Sequence, residues 1–595
     1  MTVKSPTFQT TRWSLAELYP GHASPEIQAA FDSLEARTAA FESRRAELNP
    51  EITQPTFLSF IDQIEAATRE LYHVYGFANL WFHEDTQNQA AQSFLARVQQ
   101  TSANQQNRTL FFSLWWKDLD DPNTERLLSG SGEFRYWLEE MRHFKPHTLT
   151  EAEEKIVNIK DLTGSTALQT LYDTITNRYK FQLEVDGERK EFTRDGLMQH
   201  VYSPNPDLRE RAYHELYRVF TQDGPILGQI YQTLVRDWRN ENIDLRNFAS
   251  PIAVRNLAND IPDAVVDTLI DVTRRNAPLF QRFFSLKAAW LGMKKLRRID
   301  IYAPVVQSSK AFAYEEAVDL ILAAFDDFEP DLAAMARRVF DQGHMDSELR
   351  PGKSSGAFCA TVDPALTPWV LMNFSAKARD VATLAHELGH AVHGMLTAGL
   401  PSLTFHPSLP LAETASTFAE RLLIDRLLAQ ETDAEVRRDL LFRQMDDAFA
   451  TVVRQIFFAA FEREAHLKVN AGASVDDLAE LYWETLHEQF GEALEIDEIF
   501  KWEWIMVPHI YHVPFYVYAY AFGQLLVLAL YQQYKREGQG FKPRYLKILA
   551  AGGSAAPAEI LAQAGVDIQA PGFWQGGFDV LAEALTALEA LPLPG

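Results

Sequence analysis

One pattern in the chain has immediate chemical meaning: His386-Glu387-Leu388-Gly389-His390, set in the apolar stretch 381–392. On a helix, residues four apart share a face, so both imidazoles can reach one cation. Glu387, beside the first of them, is placed to take a proton from a water held at that cation. With 16 His in 595 residues, chance gives about 0.03 such motifs, so a core helix with two incidental histidines is the weaker reading. A catalytic zinc takes three protein ligands and keeps a fourth position open, which makes the third ligand the discriminating question. After Glu387 the next acidic residue is Glu413. It opens Glu413-Thr414-Ala415-Ser416-Thr417-Phe418-Ala419-Glu420, a stretch of helical character. Glu413 and Glu420 lie seven apart on one face there, as ligand and supporting partner. The rivals are His393, one turn past His390 and better placed to support the site than to ligate, and His406, in a proline-flanked loop with no partner pattern.

The elements that must position these groups are mostly helices. Apolar residues recur at three- and four-residue spacing over 15–38, 57–73, 94–105, 313–325, 332–340 and 436–467. Strand signals are few. Phe181, Leu183 and Val185 alternate with polar residues, Asp186-Gly187 supplies a tight turn, and 189–193 returns. A second extended stretch, 369–374, follows Pro364 and Pro368. The expected fold class is mainly α, with a small sheet or hairpin near the metal site. No repeat or long linker is present, and the expected division is an N-terminal helical region, 1–195, and a larger region, 196–595, that holds the chemistry.

Composition bounds the function. A net charge of −25 disfavours nucleic acid and anionic membranes as partners. The single cysteine, Cys359, cannot form an intramolecular disulfide, and reads as a small packed hydrophobe more readily than as an oxidation-sensitive thiol. Residues 1–10 lack an apolar signal region, so the expected location is cytoplasmic. Residues 504–534 carry no Asp, Glu, Lys or Arg, but hold Pro508, Pro514, His509, His512, Gln524 and six tyrosines. That polarity argues for a buried helix lining an internal site rather than a membrane span.

The motifs together resemble a known family. HELGHAVHG followed by LAETASTFAE is similar to the thimet-type oligopeptidases, a family of zinc peptidases, and most closely to their oligoendopeptidase F branch. Ser355-Gly356-Ala357-Phe358, Trp369-Val370-Leu371-Met372-Asn373-Phe374, Leu549-Ala550-Ala551-Gly552-Gly553-Ser554 and Gly565-Val566-Asp567 extend the likeness, which spans about 115–590; within the N-terminal region, 115–185 is its most family-like part. A metzincin is excluded, since that pattern wants Gly at 393 and His at 396 where the chain has His393 and Leu396.

The resemblance implies two helical lobes enclosing a deep channel, one Zn²⁺ held by His386, His390 and Glu413, and Glu387 as general base, with Glu420 and His393 in support. It also implies endopeptidase cleavage of short peptides, with folded proteins excluded. In the family a late His and Tyr contact substrate and stabilise the oxyanion. Here that stretch is 508–520, where His509 fits the branch pattern better than His512. Tyr516 is preferred as the catalytic phenol, and Tyr520, Tyr511 and His512 as substrate contacts. Two other classes stand beside this one: a zinc carboxypeptidase or aminopeptidase, and an inactive helical peptide-binding scaffold.

Overall fold

The computed structural model describes residues 8–305 and 311–593; the reading of the first ten residues as leader-free falls mostly outside them. The chain is 70% helical, with three small sheets among the described residues. It divides into two compact units, each assembled from three stretches of chain. One comprises Met1–Lys145, Ser309–Gln430 and Tyr534–Val566, and contains the HExxH motif; the other comprises Pro146–Ser308, Glu431–Gln533 and Asp567–Gly595, and contains residues 508–520.

In the first unit, helices Pro25–Ser43, Gln54–Glu84 and Gln89–Asp118 start where Ser24, Thr53 and Asn88 accept first-turn N–H groups. The first helix begins later than the expected residue 15, because the Ser24-Pro25 cap outweighs the upstream apolar spacing. Leu18 and Tyr19 still enter the core, from a turn. Leu34, Val74, Phe77 and Leu80 bury against Trp369 and Leu371. Those two residues belong to strand Trp369–Leu371, the centre of a three-stranded sheet, parallel to Met345–Asp346 and antiparallel to Phe358–Ala360. The buried Asp363 carboxylate fastens this region to the second helix, accepting from Arg69 at 2.6 Å and lying 2.7 Å from the His73 ring.

In the second unit, strands Phe181–Val185 and Glu188–Phe192 pair in register across Asp186 and Gly187, both at positive φ, the geometry a two-residue hairpin turn requires. The helical run expected over 436–467 is two helices, Ala434–Ala448 and Arg454–Asn470, joined through a π-helical turn at Phe449–Val453. The uncharged segment, expected as one buried helix, is broken. A 3₁₀ helix, Glu498–Met506, leads to a short helix, Pro508–His512, then a bend, then the helix Tyr518–Glu537. Proline has no N–H and its ring clashes with the preceding turn, so Pro508 starts a helix and Pro514 ends one. No helix among the described residues is long and apolar enough to cross a membrane.

Candidate active site

The HExxH motif lies on helix Ala378–Leu396, whose first turn is tied by the Asp380 carboxylate accepting the backbone N–H groups of Ser375 and Lys377. Its apolar face, including Leu384, Leu388 and Ala391, is buried. The partner helix is Thr414–Gln430, which Glu413 immediately precedes. Gly389 sets the distance between the two. A Cβ there would lie 2.6 Å from the Ser416 Cα and 2.7 Å from the Ala415 carbonyl oxygen, so only glycine permits this approach.

The approach brings three ligand atoms together. His386 Nε2 and His390 Nε2 are 3.2 Å apart, and Glu413 Oε2 lies 3.3 Å from the first and 3.4 Å from the second. A tetrahedral ion at metal–ligand distances of about 2.1 Å separates its ligand atoms by about 3.4 Å, so this triangle fits zinc without rearrangement. It is the one such group found among the described residues. The ligands are themselves held: His386 Nδ1 lies 2.6 Å from Glu420 Oε1, and Ser416 Oγ donates to Glu413 Oε2 at 2.7 Å. Glu420 thus fixes the tautomer that turns the Nε2 lone pair toward the cation position.

Glu387 is 6% exposed, and burial raises its carboxyl above the ordinary range although the neighbouring imidazoles oppose this. His393 is buried and engages the backbone of Ala412 and Leu549, so it braces the short helix Leu409–Ala412 that leads to Glu413. Desolvation lowers its pKa to about 4. His406 stands outside the ligand triangle, its ring against Phe405 and Tyr72. Burial, with Glu387 nearby, pushes the Cys359 thiol up, which keeps it protonated. Ser416 and Gly389 are the functional residues that sequence reasoning left unassigned. Ser416 sits three residues after Glu413, the spacing at which a helix returns a side chain to the same face.

In the second unit the aromatic residues sort into two groups. His509, Tyr516 and Tyr520 cluster: the Tyr520 hydroxyl is 3.3 Å from His509 Nε2, and the His509 and Tyr516 rings are parallel at 6.1 Å. All three keep solvent access, and burial and His512 lower the His509 pKa. His512 turns elsewhere, its Nε2 2.9 Å from Asp173 Oδ1. Tyr511 corrects the expectation of a substrate contact. It is 1% exposed, stacks on Tyr172 at 3.9 Å and donates to the Leu227 carbonyl, because the short helix presents it to the core.

Comparison with known proteins agrees with this chemistry. The pattern of Peptidase family M3 matches residues 199–580 and that of Oligopeptidase F matches 115–181. Oligopeptidase PepF of Bacillus subtilis is 25% identical over 593 residues, covering 97% of this chain and 87% of its own. Group B oligopeptidase PepB of Streptococcus agalactiae is 27% identical, covering 89% of both chains. Among solved structures, a chain from Chlamydophila abortus superposes with a TM-score of 0.89 at 24% identity, covering 98% of this chain and 100% of that one. Oligoendopeptidase-F from Enterococcus faecium superposes at 0.70 and 24% identity, covering 95% and 99%. With the HExxH helix and its carboxylate partner inside the matched span, the chain belongs to peptidase family M3, in its oligoendopeptidase F branch, and is a metalloendopeptidase.

Proposed function

We propose that the chain is a zinc-dependent endopeptidase that hydrolyses internal bonds of short oligopeptides and excludes folded proteins. The observation that carries this is the triangle of His386, His390 and Glu413 ligand atoms with the buried Glu387 carboxyl on the same helix. These three residues would hold one Zn²⁺. Bound there, zinc supplies Lewis-acid chemistry, making water acidic at about neutral pH and polarising a peptide carbonyl. Glu387 takes a proton from the attacking water as its oxygen bonds to the carbonyl carbon, then delivers that proton to the amide nitrogen as the C–N bond breaks. Glu420 and His393 hold the ligands in register. His509 and Tyr516 donate to the carbonyl oxygen as it gains charge, with Tyr520 and His512 contacting substrate; one such donor lowers a barrier by about 3 kcal/mol.

The proposal includes a cytoplasmic location, since the lone cysteine demands no oxidising compartment, and a sequence-level division into an N-terminal helical region, 1–195, and a catalytic region, 196–595. The test is digestion of peptides of graded length, blocked at both ends, with and without a chelator. Internal cleavage that stops with the chelator and returns on adding zinc is the expected result. Cleavage only of peptides with a free terminus would replace the endopeptidase with an exopeptidase, and stoichiometric zinc binding without cleavage of any peptide would leave a binding scaffold.

A further inference from the structure

The bend between helix Pro508–His512 and helix Tyr518–Glu537 has an unusual residue at its tip. Tyr516 N–H donates to the Val513 carbonyl at 3.1 Å, closing a four-residue turn with Pro514 second and Phe515 third. Phe515 has φ +59°. Proline second and positive φ third are the marks of a type II turn, whose third position is normally glycine or asparagine. A phenylalanine there is strained, and persists only where surrounding groups hold it.

Two ionisable side chains from different helices grip the central peptide of this turn, one at each end. Arg255, on helix Ala253–Ala258, donates through Nε to the Pro514 carbonyl at 3.3 Å. Glu462, on helix Arg454–Asn470, accepts the Phe515 N–H at 3.0 Å. In a type I turn the same peptide is rotated by about half a turn, exchanging its C=O and N–H. The Phe515 N–H would then leave Glu462 and face the Arg255 guanidinium, donor against donor, and the Pro514 carbonyl would lose its Arg255 donor. The phenyl ring of Phe515 is fully buried and packs on the His466 ring at 4.7 Å, one turn along the same helix from Glu462. From helix Ala253–Ala258 the grip continues into the next helix, since Asn259, its C-terminal cap, donates to the Tyr518 hydroxyl at 2.9 Å.

Glu462 is an expensive way to hold one amide. It is wholly buried, and its second oxygen has no hydrogen-bond partner. Burial pushes its pKa up to about 8, with the Phe515 amide and Arg255 opposing. A buried carboxyl without full compensation is destabilising, so its use here points to a requirement for the turn rather than for the core.

We propose that Arg255 and Glu462 are positioning residues that select the type II turn at 513–516 and so set Tyr516 and Tyr520 against His509. The proposal rests on the reading of His509 and Tyr516 as oxyanion donors. Its test pairs kinetics with hydrogen–deuterium exchange over 508–520, on the zinc-loaded enzyme. Glu462→Met removes the acceptor at similar size; it should speed exchange of the segment and lower kcat about tenfold with KM little changed. Glu462→Gln retains an acceptor oxygen and should stay near wild type. Glu462→Met combined with Phe515→Gly should recover much of the lost kcat, because glycine takes positive φ without strain; a cavity effect would instead worsen. Arg255→Leu, at a half-buried position, gives an independent and smaller loss in the same direction. Unchanged exchange in Glu462→Met and Arg255→Leu overturns the clamp. Faster exchange with unchanged kcat leaves the clamp standing and removes the donor reading of His509 and Tyr516.

Discussion

The metal triangle and the aromatic bend reach order by opposite routes. In the first, two regular helices pack through a glycine, and the ligands fall into place from helical spacing and close approach. In the second, regular structure is interrupted, a phenylalanine sits at φ +59°, and an arginine and a buried glutamate side chain hold one peptide bond against its local preference. The first arrangement follows from local geometry and tolerates little change in size. The second depends on partners distant in sequence, and should respond to changes that free or tighten the turn.

The largest expected effect lies in the metal region. Glu387→Gln keeps the shape but not the basicity, so kcat should fall about a thousandfold or more while zinc content, read by atomic absorption, stays at one per chain. Full turnover would break the assignment of the base. In the aromatic region Tyr516→Phe should lower kcat about a hundredfold, again with zinc unchanged. Tyr511→Phe is the contrast, since its hydroxyl donates to a backbone carbonyl in the core. It should leave kcat near wild type and lower the thermal midpoint slightly. Equal kinetic losses in the two variants would erase the distinction between exposed donors and core tyrosines.

These predictions separate what was legible in the sequence from what was not. The histidine pair was legible because four residues is one helical turn, and Glu413 because no carboxylate intervenes after Glu387. The hairpin was legible from Asp186-Gly187, two residues suited to positive φ. Glu420 was legible as a partner because seven residues return to the same face. By contrast, the Asp173 partner of His512 is 339 residues away, and Glu462 is 53 residues from Phe515. No periodicity links such pairs. The core position of Tyr511 was hidden because a short helix in an uncharged stretch that mixes aromatic, apolar and histidine side chains shows no clear amphipathic face, and the interleaving of three chain segments in each unit leaves no linker to mark it.

Support of the ligands supplies a smaller effect. Glu420→Gln weakens the partner of His386 Nδ1 and should reduce zinc affinity by about tenfold to a hundredfold, measured by competition with a chromogenic chelator. Gly389→Ala should also weaken zinc binding, because the helix backbones must separate to admit the methyl group. In that case the thermal midpoint of the zinc-free enzyme falls as well, whereas Glu420→Gln moves it little. If Gly389→Ala spared zinc affinity, the close helix approach would not be what sets the triangle.

The smallest effect is a pH slope in the second unit. Glu462 has a folded pKa of about 8 against an ordinary value of 4.5, so folding favours its protonated form. Its contribution is complete below pH 4.5 and is lost as pH rises through 8. The charged and titratable groups that act on it are Arg255 from helix Ala253–Ala258 and Tyr231 from helix Gly224–Arg239, and His466, one turn along its own helix, packs on the Phe515 ring. His466 has the opposite sign: burial lowers its pKa to about 3, so its contribution is present above 6.5 and is lost as pH falls toward 3. Between pH 6.5 and 8 only Glu462 of this pair contributes a slope, bounded at about 1.4 kcal/mol per pH unit. In a chain of 595 residues that amounts to about one or two degrees in midpoint over the window. Glu462→Gln should flatten that decline while keeping the turn and the kcat. An unchanged slope would mean that the carboxyl ionises as freely in the folded state as in water, and that the Phe515 amide and Arg255 together offset the whole effect of its burial.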